Sequence, residues 1–185
     1  MKIISEMYGI DLKELIISWA KDKDLIKKNN SRKQILKLLE ENGELIGAYL
    51  KNKQLEIKDA IGDLQVVKII LCAQNDLDLP KLDPEKEEKD HFTDNILKTI
   101  IEGSKAGLID IDHLLLRYSE ELGHLSKFYL NHDMLDYNSV KISLYLLEEI
   151  SRRLNLTLEE CLTSAYQEIK DRKGKTINGS FVKYE

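Results

Sequence analysis

The stretch Glu40-Glu41-Asn42-Gly43-Glu44-Leu45-Ile46-Gly47-Ala48-Tyr49-Leu50 returns 80 positions later as Glu120-Glu121-Leu122-Gly123-His124-Leu125-Ser126-Lys127-Phe128-Tyr129-Leu130. Six of the eleven positions are identical and no gap is needed. The register continues beyond it, placing Leu55 on Leu135, Leu64 on Leu144 and Ile70 on Ile150. Self-similarity at a fixed offset is the mark of a duplicated structural unit, so the chain reads as two tandem copies of one element.

The period of the apolar residues says what that element is. Ile35, Leu38, Leu45 and Tyr49 recur at helical spacing after Ser31, a candidate N-cap, and a second helical run extends from about Leu55 to Gln74. Only a few residues near Asn52 and Lys53 separate them, which makes the two helices antiparallel neighbours. Leu12, Leu15, Ile16 and Trp19 mark an earlier helix ending near Lys28, and Thr157 with Glu160 forms a capping-box pattern at the head of a last one. Both prolines fall between Asn75 and Lys89, a charge-rich stretch that reads as a surface linker, with helices resuming near His91. The expectation is an all-α helical bundle of two repeats. Residues 1–75 form the first repeat, 76–90 a linker, 91–175 the second repeat with a basic C-terminal segment, and 176–185 an irregular tail.

Composition narrows the classes of function. The 185 residues are 42% hydrophobic and 33% charged, with two prolines and nine glycines, which favours a globular helical protein. A formal net charge of -5 gives no electrostatic case for nucleic-acid binding. The start, Met1 to Leu12, lacks a basic region followed by an apolar run, and the longest apolar run, Ile69 to Ala73, is too short to span a bilayer. No membrane partner is expected. Cys72 and Cys161 show no ligand spacing and read as buried, reduced thiols of a cytoplasmic protein.

The two copies differ where chemistry would reside. Glu44 becomes His124, Asp59 becomes Ser139 and Asp63 becomes Ser143, so the second copy reads as degenerate. In the first, Glu41 and Glu44 share a helical face with Glu40 at its edge, and Asp59 and Asp63 share a face of the next helix. Three or four carboxylates can then meet between antiparallel neighbours, an all-oxygen set suited to Mg2+ or Mn2+ and not to Zn2+. Asp63 lies on the apolar stripe of Ala60, Leu64, Val67 and Leu71, where an ionised carboxylate is disfavoured unless paired or metal-bound. The bland alternatives are a solvated charged face for Glu40 and a structural ion pair with Lys37 for Asp63.

At these residues the chain resembles a known family. Lys37-Leu-Leu-Glu-Glu-Asn-Gly-Glu-Leu45 followed by Asp59-Ala-Ile-Gly-Asp63 is similar to the MazG-like all-α NTP pyrophosphohydrolases, whose signature is ExxE, a spacer, then ExxD. Glu41 and Glu44 match the first pair and Asp63 the final acid. Ala60 stands where the family has its second Glu, with Asp59 one residue earlier, a form that resembles phage-type members. Glu56-x-x-Asp59 also fits ExxD, one helical turn early, so the fourth ligand stays open. Trp19-Ala20, Gln34-x-x-Lys37, and Ala165-Tyr-Gln-Glu-Ile-Lys-Asp-Arg-Lys-Gly-Lys175 with Gly179-Ser-Phe-Val-Lys183 extend the likeness over most of the chain.

The resemblance implies Mg2+-dependent hydrolysis of a nucleoside triphosphate to monophosphate and pyrophosphate, for nucleotide-pool control. It implies Glu41, Glu44 and Asp63 as metal ligands, Asp59 as a ligand or an orienting group, and Glu40 as a residue that positions the water. Triphosphate needs cations opposite the acids, so Lys170, Arg172, Lys173, Lys175 and the nearer Lys37 are candidate phosphate contacts. Trp19 and Gln34 are candidates for the base. The duplication either replaces a homodimer or pairs again, so a homo-oligomer is the expectation. The alternatives are a catalytically silent nucleotide-binding protein and a helical interaction module.

Overall fold

A computed structural model describes residues 11–28, 31–82, 99–100, 102–103, 106–177 and 180–184. The chain is mostly helical, as the apolar periods require. The elements are α1 (Leu12–Asp22), α2 (Leu25–Lys28), α3 (Ser31–Leu50), α4 (Gln54–Gln74), α5 (Ile111–His132), α6 (Tyr137–Arg153), α7 (Leu158–Ile169), β1 (Gly174–Ile177) and β2 (Ser180–Lys183). Two compact units result, one of residues 1–79 with 158–185, the other of residues 80–157.

The first unit is organised around α4. Thirteen of its residues are buried, and they occupy all sides of the helix, so it can only be a central element. Helix α3 is its antiparallel partner, turned back through Asn52 in the left-handed conformation (φ 55°). Helix α7 packs on another side of α4, where Gly62 permits a close approach. A Cβ on Gly62 would stand 2.5 Å from the Cys161 carbonyl oxygen and 2.8 Å from the Ala165 Cβ. Gln65 Nε2 donates to the Leu158 carbonyl (2.9 Å) and fixes the other end of this contact. Ile16, Ala20, Leu25, Val66, Ile69, Ile70, Ala165 and Ile169 form one apolar cluster, with Trp19 and Phe181 packed against it.

The second unit repeats the helix pair. Shifted back by 80 positions, α5 covers 31–52 and α6 covers 57–73, matching α3 and α4. The ends of the second helices agree as well. Leu77 N–H donates to the Cys72 carbonyl at the end of α4, and Leu156 N–H to that of Ser151 at the end of α6, after left-handed Asp76 and Asn155. Cys72 and Cys161 are free, buried thiols.

Three expectations are corrected. The first helix does not run unbroken to Lys28, because Asp24 turns left-handed (φ 58°) and splits it into α1 and α2. The segment after Gly174 is not irregular but an antiparallel hairpin in which Gly174 pairs with Lys183 and Ile177 with Ser180. The basic C-terminal segment does not belong with the second repeat, since α7 and the hairpin pack into the first unit. Ser31 is the first residue of α3, and its hydroxyl accepts from Asn75 Nδ2 (2.8 Å). The end of the linker and the helix expected near His91 lie outside the described residues.

Gly62 and Gly43 give opposite expectations. A Cβ at Gly43 meets nothing within 4 Å. Gly43→Ala should raise stability by about 0.5–1 kcal/mol through helix propensity, whereas Gly62→Ala should lower it by about 1–3 kcal/mol through overpacking. Urea unfolding of the two variants checks the pair, and equal effects would refute the α4–α7 contact.

Candidate functional site

The carboxylates of α3 and α4 occupy two depressions of the first unit. Glu41, on α3, is buried, with its side chain 3% exposed. Its Oε1 accepts from Lys37 Nζ at 2.6 Å, one turn earlier, while Lys37 also reaches Glu40 Oε2 at 2.9 Å. Glu41 Oε2 is buried and has no hydrogen-bond partner. Burial raises the Glu41 carboxyl above its ordinary range, Lys37 opposes that, and the charges of Glu44 and Glu40 add to it. Burial alone would lower the Lys37 ammonium, yet its two carboxylate partners hold it up at about 12. The ion pair thus favours a charged Lys37 without offsetting the burial of Glu41, since half-exposed Lys37 is screened by solvent and Glu41 is not.

Asp63 faces this pair from α4. Burial comes first among the causes that push its carboxyl up to about 7, followed by the negative charges of Glu41 and Asp59, with Arg172 and Lys37 pulling the other way. Asp59 is also raised, by burial first and then by Glu168, with a smaller contribution from Glu44. The acids named from the sequence are therefore electrostatically coupled. They are not gathered into one cluster, however. Glu41 and Asp63 line a cavity of about 540 Å3, whereas Glu44 and Asp59 line a neighbouring groove of about 450 Å3 with Glu56, and Glu40 borders both. Among the described residues, no three Asp, Glu, His or Cys side chains stand together as a metal-holding group.

Of the expected substrate contacts, Trp19, Gln34, Lys37 and Arg172 line the larger cavity. Lys170, Lys173 and Lys175 do not, and all three are exposed. Three charged or aromatic lining residues had been given no role from the sequence, namely Lys33, Phe181 and Lys183. The last two arrive on the hairpin, whose signal is the Asn178-Gly179 dipeptide between its strands. Thr176 Oγ1 donates to the Lys23 carbonyl (2.6 Å), tying the hairpin to the turn after α1. A Cβ on Gly174 would collide with the Phe181 ring, so only glycine leaves that ring its place. Glu168, beside Asp59, was also missed. It shares a side-chain hydrogen bond with Asp59 and accepts from Arg172 Nη2 at 3.3 Å.

The second unit closes the corresponding positions on themselves. Ser143, in the place of Asp63, donates to the Val140 carbonyl (2.8 Å), and Ser139, in the place of Asp59, donates to Asp136 Oδ2 (3.0 Å). Half-buried Glu121, the counterpart of Glu41, lies 3.8 Å from His124 Nδ1.

No family model matches the chain, and no solved structure does. A phage protein is similar, the uncharacterized 18.2 kDa protein of the rep-hol intergenic region of Haemophilus phage HP1. It is 46% identical over 71 residues, which is 37% of this chain and 44% of that protein. The chain thus aligns with less than half the length of that relative. Among the described residues, no helix is long and apolar enough to cross a membrane.

The position of Asp63 makes stability depend on pH. Folding raises its carboxyl from an ordinary 3.8 to about 7, so between these values the folded chain holds a proton that the unfolded chain has released. Stability from this group is therefore lost as pH rises through that window. Asp63→Asn should melt above the parent at pH 8, with the gap closing towards pH 4. An equal gap at both pH values would refute the half-buried, repelled state of Asp63.

Proposed function

We propose that the first unit is a nucleoside triphosphate pyrophosphohydrolase that uses Mg2+ or Mn2+. The observation that carries this reading is the repelling pair of buried Glu41 and half-buried Asp63, which lines a cavity that also holds Lys33, Lys37, Arg172 and Lys183. Acids and cations lining one cavity fit a ligand that brings both metal and polyanion. The resemblance to MazG-like enzymes agrees with it, and the similarity to a phage protein fits a phage-related origin with a role in the nucleotide pool of a host cytoplasm.

The donor chemistry suits a hard dication. All candidates are carboxylates, and Glu41 Oε2 is a buried acceptor with nothing to accept from. Glu41 and Asp63, with Asp59 and Glu44 from the adjoining groove, would hold the ion. When bound, the ion would polarise the phosphate and lower the pKa of a water. Lys37, freed from Glu41 by that ion, would turn to the phosphates together with Arg172. Glu40, at the border of both depressions, would position the attacking water. A homodimer is part of the same proposal.

A second reading is a nucleotide-binding protein without turnover. It is favoured by the Lys37–Glu41 ion pair, which stands where an ion would, and by Ala60 in place of the family's Glu. Incubation with each of the eight common NTPs and dNTPs and Mg2+, with pyrophosphate and monophosphate read out, separates the two. Pyrophosphate release should fall at least 100-fold in Glu44→Ala and Asp63→Ala, with helicity intact, and stay within twofold in His124→Ala and Ser143→Ala. Release at the parent rate in both acidic variants would overturn the site. No release from any of the eight would leave the binding reading.

A further inference from the structure

The cavity beside Glu41 has two chemically distinct parts. One carries the ionic groups Lys33, Lys37, Arg172, Glu41 and Asp63. The other is apolar and aromatic, formed by Leu25, Val66, Ile70, Trp19 and Phe181. Its volume of about 540 Å3 lies within the range of sites that enclose small organic ligands. Inorganic polyphosphate would fill only the ionic part.

The aromatic part has an unmet need. The Trp19 ring stands 5.5 Å from Phe181, centroid to centroid, with the planes inclined by 59°. The rings therefore do not stack on each other, and both line the cavity. Trp19 Nε1 is buried and has no hydrogen-bond partner. An indole N–H can only donate, so what satisfies it must bring an acceptor into an apolar wall. Buried Gln34 borders the same cavity with both a donor and an acceptor. A flat ring with in-plane nitrogen and oxygen acceptors meets all three conditions.

We propose that Phe181, held by the C-terminal hairpin, and Trp19 form the nucleobase subsite of this cavity, with Trp19 Nε1 donating to an acceptor on the base edge. The inference rests on the nucleotide reading above and goes beyond it by assigning the hairpin a role in substrate recognition. Phe181 is thus a binding residue delivered from the far end of the chain. The hairpin sets its position through Gly174, which leaves room for the ring, and through the Thr176 anchor on Lys23.

Trp19 is the one tryptophan of the chain, so its emission reports this subsite directly. The full chain is titrated with each common nucleoside 5′-monophosphate and, as a base-free probe, with inorganic tripolyphosphate. Saturable quenching by at least one nucleotide and none by tripolyphosphate is expected. One base stacked on one aromatic side chain corresponds to about tenfold to a hundredfold in affinity. Phe181→Ala should weaken binding by that factor and raise KM with little change in kcat, while Phe181→Tyr restores both. Phe181→Leu, which keeps the apolar bulk that packs on the core, should weaken binding as Phe181→Ala does, and it serves if the alanine variant fails to fold. Equal quenching by tripolyphosphate, no quenching by any nucleotide, or affinity within twofold of the parent in folded Phe181→Leu would overturn the proposal. Base-dependent quenching without pyrophosphate release would refute the hydrolase and leave the subsite standing. Pyrophosphate release without base-dependent quenching would do the reverse.

Discussion

The close approach of α7 to α4 at Gly62 is the constraint on which the rest of the first unit depends. With any other residue at that position, the Cys161 carbonyl and the Ala165 methyl would be pushed away. Helix α7 would then lose its seat, and with it everything that follows in the chain. Arg172, Phe181 and Lys183 reach the cavity only because α7 returns the chain to this face after the second unit. A single missing methyl group therefore couples the end of the sequence to acids more than a hundred residues earlier.

Electrostatics at the cavity follow from the central position of α4. From Leu64 to Cys72 this helix is buried on every side, so Asp63, directly before that stretch and beside buried Gly62, is left only half exposed to water. Glu41, across from it, is buried because it stands on the packing stripe of α3, in line with Gln34, Leu38, Leu45 and Ala48. Two acids so placed repel each other, and Lys37, half in solvent, relieves only part of that cost. Such an arrangement is expensive for stability alone, which is why it points to a ligand.

The two copies show what duplication left free to vary. The helix pair and the closing turns after α4 and α6 persist, because they depend on apolar spacing and on left-handed Asp76 and Asn155, whereas the connecting turn shifts by one position, from left-handed Asn52 to Asp133, the counterpart of Lys53. Of the acids, Glu40 and Glu41 persist as Glu120 and Glu121, whereas Glu44, Asp59 and Asp63 do not. Serines 139 and 143 satisfy themselves on Asp136 and on a local carbonyl, so the second helix pair keeps its fold without those two carboxylates.

By itself, the sequence determined the all-α class, the helix pairs, their 80-residue repeat and the short turn near Asn52, since these depend on local periodicity and on neighbours close in the chain. It also singled out Asp63 as an acid on an apolar stripe, and Trp19, Gln34 and Lys37 as candidate substrate contacts, which the structure places along one cavity. The hairpin was legible too, in Asn178-Gly179, but the tail was read by its charge and not by its turn. Tertiary structure alone decided that α7 joins the first unit, that Glu168 stands beside Asp59, and that Phe181 lies against Trp19 while Lys170, Lys173 and Lys175 stay in solvent. It also decided that Glu44 and Asp59 line a different depression from Glu41 and Asp63. Each of these is a matter of which surfaces meet across long sequence separation, set by shape at Gly62 and Gly174, and helical spacing carries no record of it.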